Sequence, residues 1–480
     1  MRAFPAAALA AGLSILAAGL ITLAAGPALA SGGAPHIPGA ELSLIWVVPF
    51  AGILLSIALM PLLINSFWHH HFGKVAVFWA VAFAVPFAVV EGVEMASFAV
   101  LETLLLDFVP FIILIFTLFV VAGGIFISGN LIGTPKTNAG ILAFGTLTAS
   151  MVGTTGASML LIRPLLRANI SRKHKVHVFV FFIFLVSNVG GALTPLGDPP
   201  LFMGYLKGVD FGWTVQHMFL PMAITSGILL AVFVIMDSLA WKKEEMSKHK
   251  PSRIPRNIRV QGLFNVILLA GVIVTVVATG KWDAGTVHVW HLEFKVSGLV
   301  RDLTLVAIAA LSLRYTRPEI RVENAFAWEP IQEVAILFFA IFLTMIPALA
   351  ILRAGTDGAL AGLAAFTTGP DGQPVPAAYF WLTGLLSSFL DNAPTYLVFF
   401  NLAGGDAQTL MGPLETVLVA ISAGAVFMGA NTYIGNAPNF MVKSICEEQK
   451  VQMPSFFGYM AWSVLILVPI FILLTFIFFV

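Results

Sequence analysis

TPLGDPPLF at Thr194–Phe202 and TYIGNAPNF at Thr432–Phe440 are one motif written twice. Both fit T-x-[LI]-G-[DN]-x-P-x-F, and they lie 238 residues apart. At the same offset, GTTGAS at Gly153–Ser158 falls on DNAPTY at Asp391–Tyr396. Each half of the chain therefore carries two polar, Gly/Pro-rich breaks with equal spacing. Such residues interrupt helices, yet all four breaks sit inside apolar sequence long enough to cross a bilayer. Duplicated, interrupted membrane segments predict an all-α polytopic membrane protein built from inverted repeats, with its binding site at the interruptions.

Composition agrees with a membrane location. Of 480 residues, 59% are hydrophobic and 10% charged, with a mean hydropathy of +0.95. A soluble domain cannot hide that much apolar surface. The net charge of +1 says nothing about partners, and no basic stripe for nucleic acid is present. The single cysteine, Cys446, excludes an internal disulfide and a cysteine-based metal cluster. No nucleophile triad, phosphate loop or dinucleotide fingerprint is present, so neither an enzyme nor an ATP-driven pump is expected, and no cofactor. Residues 1–30 read as a signal peptide: Arg2, an Ala/Leu-rich run, then Pro27-Ala28-Leu29-Ala30 before Ser31. The alternative is an uncleaved first helix. The Ala-rich style points to a bacterial plasma (inner) membrane.

About 20 apolar residues are needed for one crossing. Ten candidates are 43–64, 75–91, 107–128, 176–207, 215–240, 262–280, 296–313, 329–351, 414–446 and 455–480, with 92–106 ambiguous. Segments 138–170 and 377–403 are too long for one crossing and too short for two. They read as re-entrant hairpins with tips at Thr154–Thr155 and Asp391–Asn392. Lys74, Lys136, Arg167–Lys175, Trp241–Arg259, Arg314–Arg321 and Glu447–Lys450 then fall on one, cytoplasmic side. The first repeat is 40–240, a cytoplasmic linker spans 241–260, and the second repeat, 261–480, runs upside down relative to the first.

The breaks must lie at mid-depth. In the broken helix 176–207, the apolar run Val176–Val186 has only 11 residues, about 16 Å of helix. The non-helical stretch Ser187–Pro200 follows at once, and the same holds for Gly429–Asn439 in the broken helix 414–446. Irregular backbone at that depth is tolerated only beside protein or a watery cavity. Its unpaired carbonyls and N–H groups suit cations and anions respectively.

Asp198 and Asp391 fall at breaks of opposite halves. A carboxylate at mid-membrane costs about 2.5–3.5 kcal/mol, so it is usually kept to bind a cation or carry a proton. Around the two acids lie Ser187, Asn188, Thr194, Asn392, Thr395, Asn431, Thr432 and Asn436, with Thr154 and Thr155 at the first tip. Their oxygens are hard ligands suited to Na⁺ or Li⁺. The plainer alternative is an Asp that only caps a half-helix. Arg163 either faces the cavity, where it would pair with an acid, or snorkels to the surface. Glu329 and Glu333 are candidate gates, with helix-end charges as the alternative; Asp107, near an expected helix start, reads likewise. The triple His69–His71 has poor ligand spacing and reads as an interfacial cluster.

With these residues in view, the chain resembles the ion-transporter superfamily, in particular NhaD-type sodium/proton antiporters and CitMHS-like citrate transporters. The likeness covers most of 40–480 and is carried by SNVGGALTPLGDPP (187–200), SSFLDNAPT (387–395), GANTYIGNAPN (429–439) and, more weakly, GTTGAS (153–158). Asp391-Asn392 resembles the hairpin Asp-Asn of the antiporters, and Gly197-Asp198 resembles their broken-helix Gly-Asp. The chain departs from the pattern in carrying Asp-Asn on the second hairpin and Thr154-Thr155 on the first. The resemblance implies alternating access and a homodimer. Three functions follow as expectations: a Na⁺ or Li⁺/proton antiporter, a cation-coupled citrate or dicarboxylate symporter, and, less well supported, a channel or exporter subunit. Two acids and few central cations favour the first. A cavity-facing Arg163 would favour the second.

Overall fold

The structure, a computed structural model, describes residues 35, 37–129, 131–244 and 259–480. The expected signal peptide and most of the expected linker lie outside the described residues. The first half contains α1 (Val48–Leu63), α2 (Asn65–Val90) and α3 (Val93–Ala122), followed by α4 (Pro135–Val152), α5 (Thr154–Ala168), α6 (Val176–Leu185), α7 (Pro199–Leu206) and α8 (Phe211–Lys242). The second half contains α9 (Leu263–Lys281), α10 (Val296–Tyr315) and α11 (Glu329–Arg353), then α12 (Pro376–Phe389), α13 (Asn392–Leu402), α14 (Glu415–Met428), α15 (Ala437–Glu448) and α16 (Phe456–Phe478). Two small antiparallel ribbons complete it: β1 (Phe126–Ser128) with β2 (Arg259–Gln261), and β3 (Thr286–Val289) with β4 (Leu292–Lys295).

Nine helical segments among the described residues are long and apolar enough to cross a membrane. The one expected span outside these nine, 414–446, is interrupted, and its longest unbroken helix has 14 residues. The chain is an all-α polytopic membrane protein with two helical hairpins and two broken helices. α4 and α5 form the first hairpin, bent at Gly153, whose φ of +80° is open to glycine and strained for other residues. Asn138 and Asn169 join the free ends of its arms with reciprocal hydrogen bonds of 3.0 and 2.8 Å. α12 and α13 form the second, where Tyr379 at the start of one arm meets Phe399 near the end of the other. α6 and α7 are the halves of one broken helix, and α14 and α15 those of the other.

Burial sorts these elements. Val178 to Val186 have no exposed surface at all, so α6 beyond its first two residues lies wholly inside protein. By contrast α2 exposes Val77, Phe78, Val81, Val85 and Val89, an apolar face suited to lipid. The expected boundaries shift in two places. α2 starts at Asn65, ten residues before the expected 75, so His69–His71 and Lys74 are helical rather than loop. The span expected at 107–128 is α3, Val93–Ala122, with a π-helical turn at Thr103–Phe108. Its Asp107, expected near a helix start, lies mid-helix. Lys207 Nζ bonds both its carboxylate oxygens at 2.7 Å, so the charge does not end the helix.

The duplicated motif makes duplicated contacts. Thr194 Oγ1 donates to the Ser150 carbonyl, and Thr432 Oγ1 to the Ser388 carbonyl. Ser150 Oγ donates to the Gly190 carbonyl, and Ser388 Oγ to the Met428 carbonyl. Each pair of partners is related by the same 238-residue offset. Gly197 and Gly435 explain the invariant glycine within the motif. A Cβ there would stand 2.1 Å from the Gly191 carbonyl oxygen in the first case and 2.6 Å from that of Gly429 in the second.

Candidate functional site

The four breaks meet on one side chain. Asp198 precedes α7 and is 1% exposed. Its Oδ1 accepts from Thr154 Oγ1 at 2.8 Å and from Asn436 Nδ2 at 3.1 Å, and its Oδ2 accepts from Asn392 Nδ2. Thr154 comes from the first hairpin tip, Asn392 from the second, and Asn436 from the second broken helix. Thr154 and Asn392 are mates at the 238 offset, and so are Asp198 and Asn436. The carboxylate therefore lies where the two halves face each other. Among the described residues, no Lys or Arg makes an ion pair with it.

Polar groups continue around it. Asn436 Nδ2 also reaches the Ser187 carbonyl at 3.1 Å and Asn188 Oδ1 at 3.3 Å. Asn188 Nδ2 donates to Asn439 Oδ1 at 2.7 Å and to the Ile183 carbonyl at 2.8 Å. Asn439 Nδ2 in turn holds the carbonyls of Gly429 and Thr432, at 2.8 and 2.9 Å. Ser187 and Ser158 share a hydroxyl–hydroxyl bond of 2.8 Å. The amide and hydroxyl side chains satisfy backbone that the broken helices leave unpaired, as buried polar groups require. Two buried oxygens, Asn392 Oδ1 and Asn431 Oδ1, carry no hydrogen bond among the described residues.

Helix ends supply the field. α5, α7, α13 and α15 all begin within one residue of Thr154, Asp198, Asn392 or Asn436. Their positive N-terminal ends favour negative charge at the centre. The C-terminal carbonyls of the partner half-helices favour cations at the same depth.

The expected residues divide into three groups. Asp198, Asn188, Ser187, Asn392, Asn436 and Thr154 form the centre. Thr194, Thr432, Asn431 and Thr395 brace the breaks: Asn431 Nδ2 donates to Ser388 Oγ at 2.9 Å, and Thr395 Oγ1 to the Asp391 carbonyl at 2.9 Å. Asp391 itself caps α13, its Oδ1 accepting from the Ala393 N–H at 3.1 Å. It makes no side-chain bond to the Asp198 cluster. Thr155 is half-buried and makes no side-chain hydrogen bond among the described residues. The rest lie outside the centre. Glu329 is exposed in the first turn of α11, and Glu333 accepts from Trp68 Nε1 at 3.3 Å, tying α11 to α2. Arg163 is half-buried on α5, and its Nη1 has no hydrogen-bond partner among the described residues. Asn439 and Ser158 also stand at the centre, although neither is among the site residues expected from the sequence. Asn439 lies within the motif, but its mate at the 238 offset is Leu201, so the repeat does not mark it.

Broken helices and hairpin tips gathered on a buried carboxylate, within a polytopic helical membrane protein, define a secondary transporter. Residues 39–479 match the family model described as "Putative citrate transport", and the chain belongs to that family. A comparison with curated proteins finds no match.

Proposed function

We propose that the protein is a Na⁺ or Li⁺/proton antiporter working by alternating access, in which the cation and the proton compete for Asp198. The observation that carries this reading is the Asp198 carboxylate, buried where all four breaks meet and held by three neutral donors, with no basic partner among the described residues. A group that binds one positive charge at a time exchanges cation for proton by competition alone. The surrounding oxygens are hard donors of the kind such cations take. In this reading 40–240 and 261–480 are inverted repeats, supported by the contacts that recur at the 238-residue offset. The membrane is the bacterial inner membrane, and the unit a homodimer.

A second reading, cation-coupled citrate or dicarboxylate symport, draws support from the family description and from the four helix N-termini around the centre. One experiment separates the two. Everted vesicles from an antiporter-deficient bacterial host are given a pH gradient, then NaCl, LiCl or KCl, with a fluorescent dye as reporter. Collapse by Na⁺ or Li⁺ that disappears in Asp198→Asn is the expected result. No response to any cation, with expression confirmed, together with uptake of labelled citrate, would replace antiport by symport.

A further inference from the structure

The two copies of the motif differ at their central position. The offset that places Gly197 on Gly435 places Asp198 on Asn436. Asn436 is 2% exposed, and its amide nitrogen faces three oxygens: Asp198 Oδ1 at 3.1 Å, the Ser187 carbonyl at 3.1 Å and Asn188 Oδ1 at 3.3 Å. An amide has two N–H groups, so three acceptors are more than it can satisfy with one bond each. A cluster of oxygens, one of them anionic, is the surrounding a hard cation takes.

We propose that Asn436 fixes the valence of the ion this centre accepts. Its amide nitrogen fills the cationic position beside Asp198, and its neutrality leaves one carboxylate at these paired positions where the repeat would otherwise supply two. One monovalent cation or one proton then balances that carboxylate, while the neighbouring Asp391 is engaged as the cap of α13. Two carboxylates at the paired positions would stand too close to remain ionised without added positive charge, and a divalent cation would provide it. Asn436 is thus a specificity-determining residue. The inference rests on the reading of Asp198 as the ion-binding group.

Thermal unfolding of the purified full-length protein in detergent tests it, with LiCl, NaCl, MgCl₂ and CaCl₂ titrated at constant ionic strength. Ligands that bind the folded state raise the midpoint as they saturate it. Wild type is expected to respond to Na⁺ or Li⁺ and not to Mg²⁺ or Ca²⁺. Asn436→Asp is expected to reverse this order, responding to Mg²⁺ or Ca²⁺ at concentrations about tenfold or more below those of Na⁺. Asp198→Asn with Asn436→Asp moves the single carboxylate to the paired position and is expected to restore the monovalent preference, while Asp198→Asn alone loses the response. A folded Asn436→Asp protein with the wild-type ion order would overturn the proposal, as would a folded double variant blind to monovalent ions. If neither variant folds, the position cannot take the carboxylate that the repeat allows, and the proposal fails as well. Wild type blind to every cation would instead sink the reading of Asp198 itself.

Discussion

Asp198 and Asp391 each stand one residue before a helix, yet their carboxylates do different work. Asp391 turns back to its own helix and accepts the Ala393 N–H, while Asp198 makes no capping bond and reaches across to the other half. Asn caps a helix about as well as Asp, whereas Ala in place of either loses about 0.5–2 kcal/mol. Asp391→Asn should therefore keep both transport and melting temperature near wild type, and Asp391→Ala should lower the melting temperature. Loss of the cation-driven dye response in a folded Asp391→Asn protein would show instead that its charge is used. Gly197 makes a second prediction at this scale. An added Cβ would meet the Gly191 carbonyl oxygen at 2.1 Å, which backbone must move to relieve. Gly197→Ala should destabilise by about 1–3 kcal/mol, the usual range for overpacking, and thermal unfolding would show it. The repeat made Asp198, Asn436 and Gly197 legible in the sequence. It hid Asn439, whose mate is Leu201, and it gave no means of telling a capping Asp from a central one.

Elements follow the same logic through what closes their ends. The base of the first hairpin is held by a buried charged network. Arg172 Nη2 donates to Asp237 Oδ1 at 2.5 Å, His177 Nε2 bonds the same oxygen at 2.8 Å, and Asn138 Nδ2 donates to Oδ2 at 3.0 Å. Asp237 on α8 and the Arg172 side chain are 0% and 1% exposed. Removing one partner of such a pair leaves the other charge buried and costs about 3–5 kcal/mol, so Asp237→Asn should unfold at markedly lower temperature. An unchanged melting curve would mean that water reaches Arg172. Just past α8, Glu244 accepts the N–H groups of Lys173 and His174 at 3.1 and 2.7 Å. Partial burial pushes its carboxyl up, but those two N–H groups and Arg172 outweigh it and hold it below the ordinary 4.5. A lowered carboxyl stabilises the fold above its unfolded value and loses that contribution as pH falls through the folded one. The gap in melting temperature between wild type and Glu244→Gln should thus be largest near neutral pH and narrow as the pH falls below the ordinary 4.5. Helix boundaries were legible wherever apolar runs ended cleanly. Segment 92–106 was not: it is the first part of α3, whose acidic Asp107 is neutralised by Lys207, 100 residues away.

At the scale of the molecule, α4–α8 and α12–α16 carry the breaks, while α1–α3 and α9–α11 surround them. Polar bonds between these groups gather at one face. Lys207 beyond α7 pairs with Asp107 on α3, and Tyr205 Oη donates to the Val276 carbonyl on α9 at 3.1 Å. Arg301 on α10 lies 5.9 Å from the ring centres of Phe202 and Tyr205, and Arg353 Nε donates to Asn401 Oδ1 at 2.6 Å. All four bridges sit near the ends of α7 and α13, which lead into the loops that the charge pattern assigns to the outside. On the opposite face, Arg167 Nη2 donates to the Ile127 carbonyl at 2.7 Å, while Arg163 Nη1 is unpartnered among the described residues. If the two groups move past each other during transport, these bridges bias the molecule toward a conformation closed at the outer face. The Lys207–Asp107 side chains are 22% and 12% exposed, so solvent screens the pair and its net contribution is about 1 kcal/mol. Lys207→Met should then raise the population open on that face about fivefold. Val276, fully buried and joined to α7 through its carbonyl and the Tyr205 hydroxyl, provides the reporter. A cysteine there, with Cys446 replaced by Ser, should be labelled by a membrane-impermeant maleimide about fivefold faster when Lys207→Met is added. Equal rates in the two backgrounds would show that the pair holds the fold without biasing access.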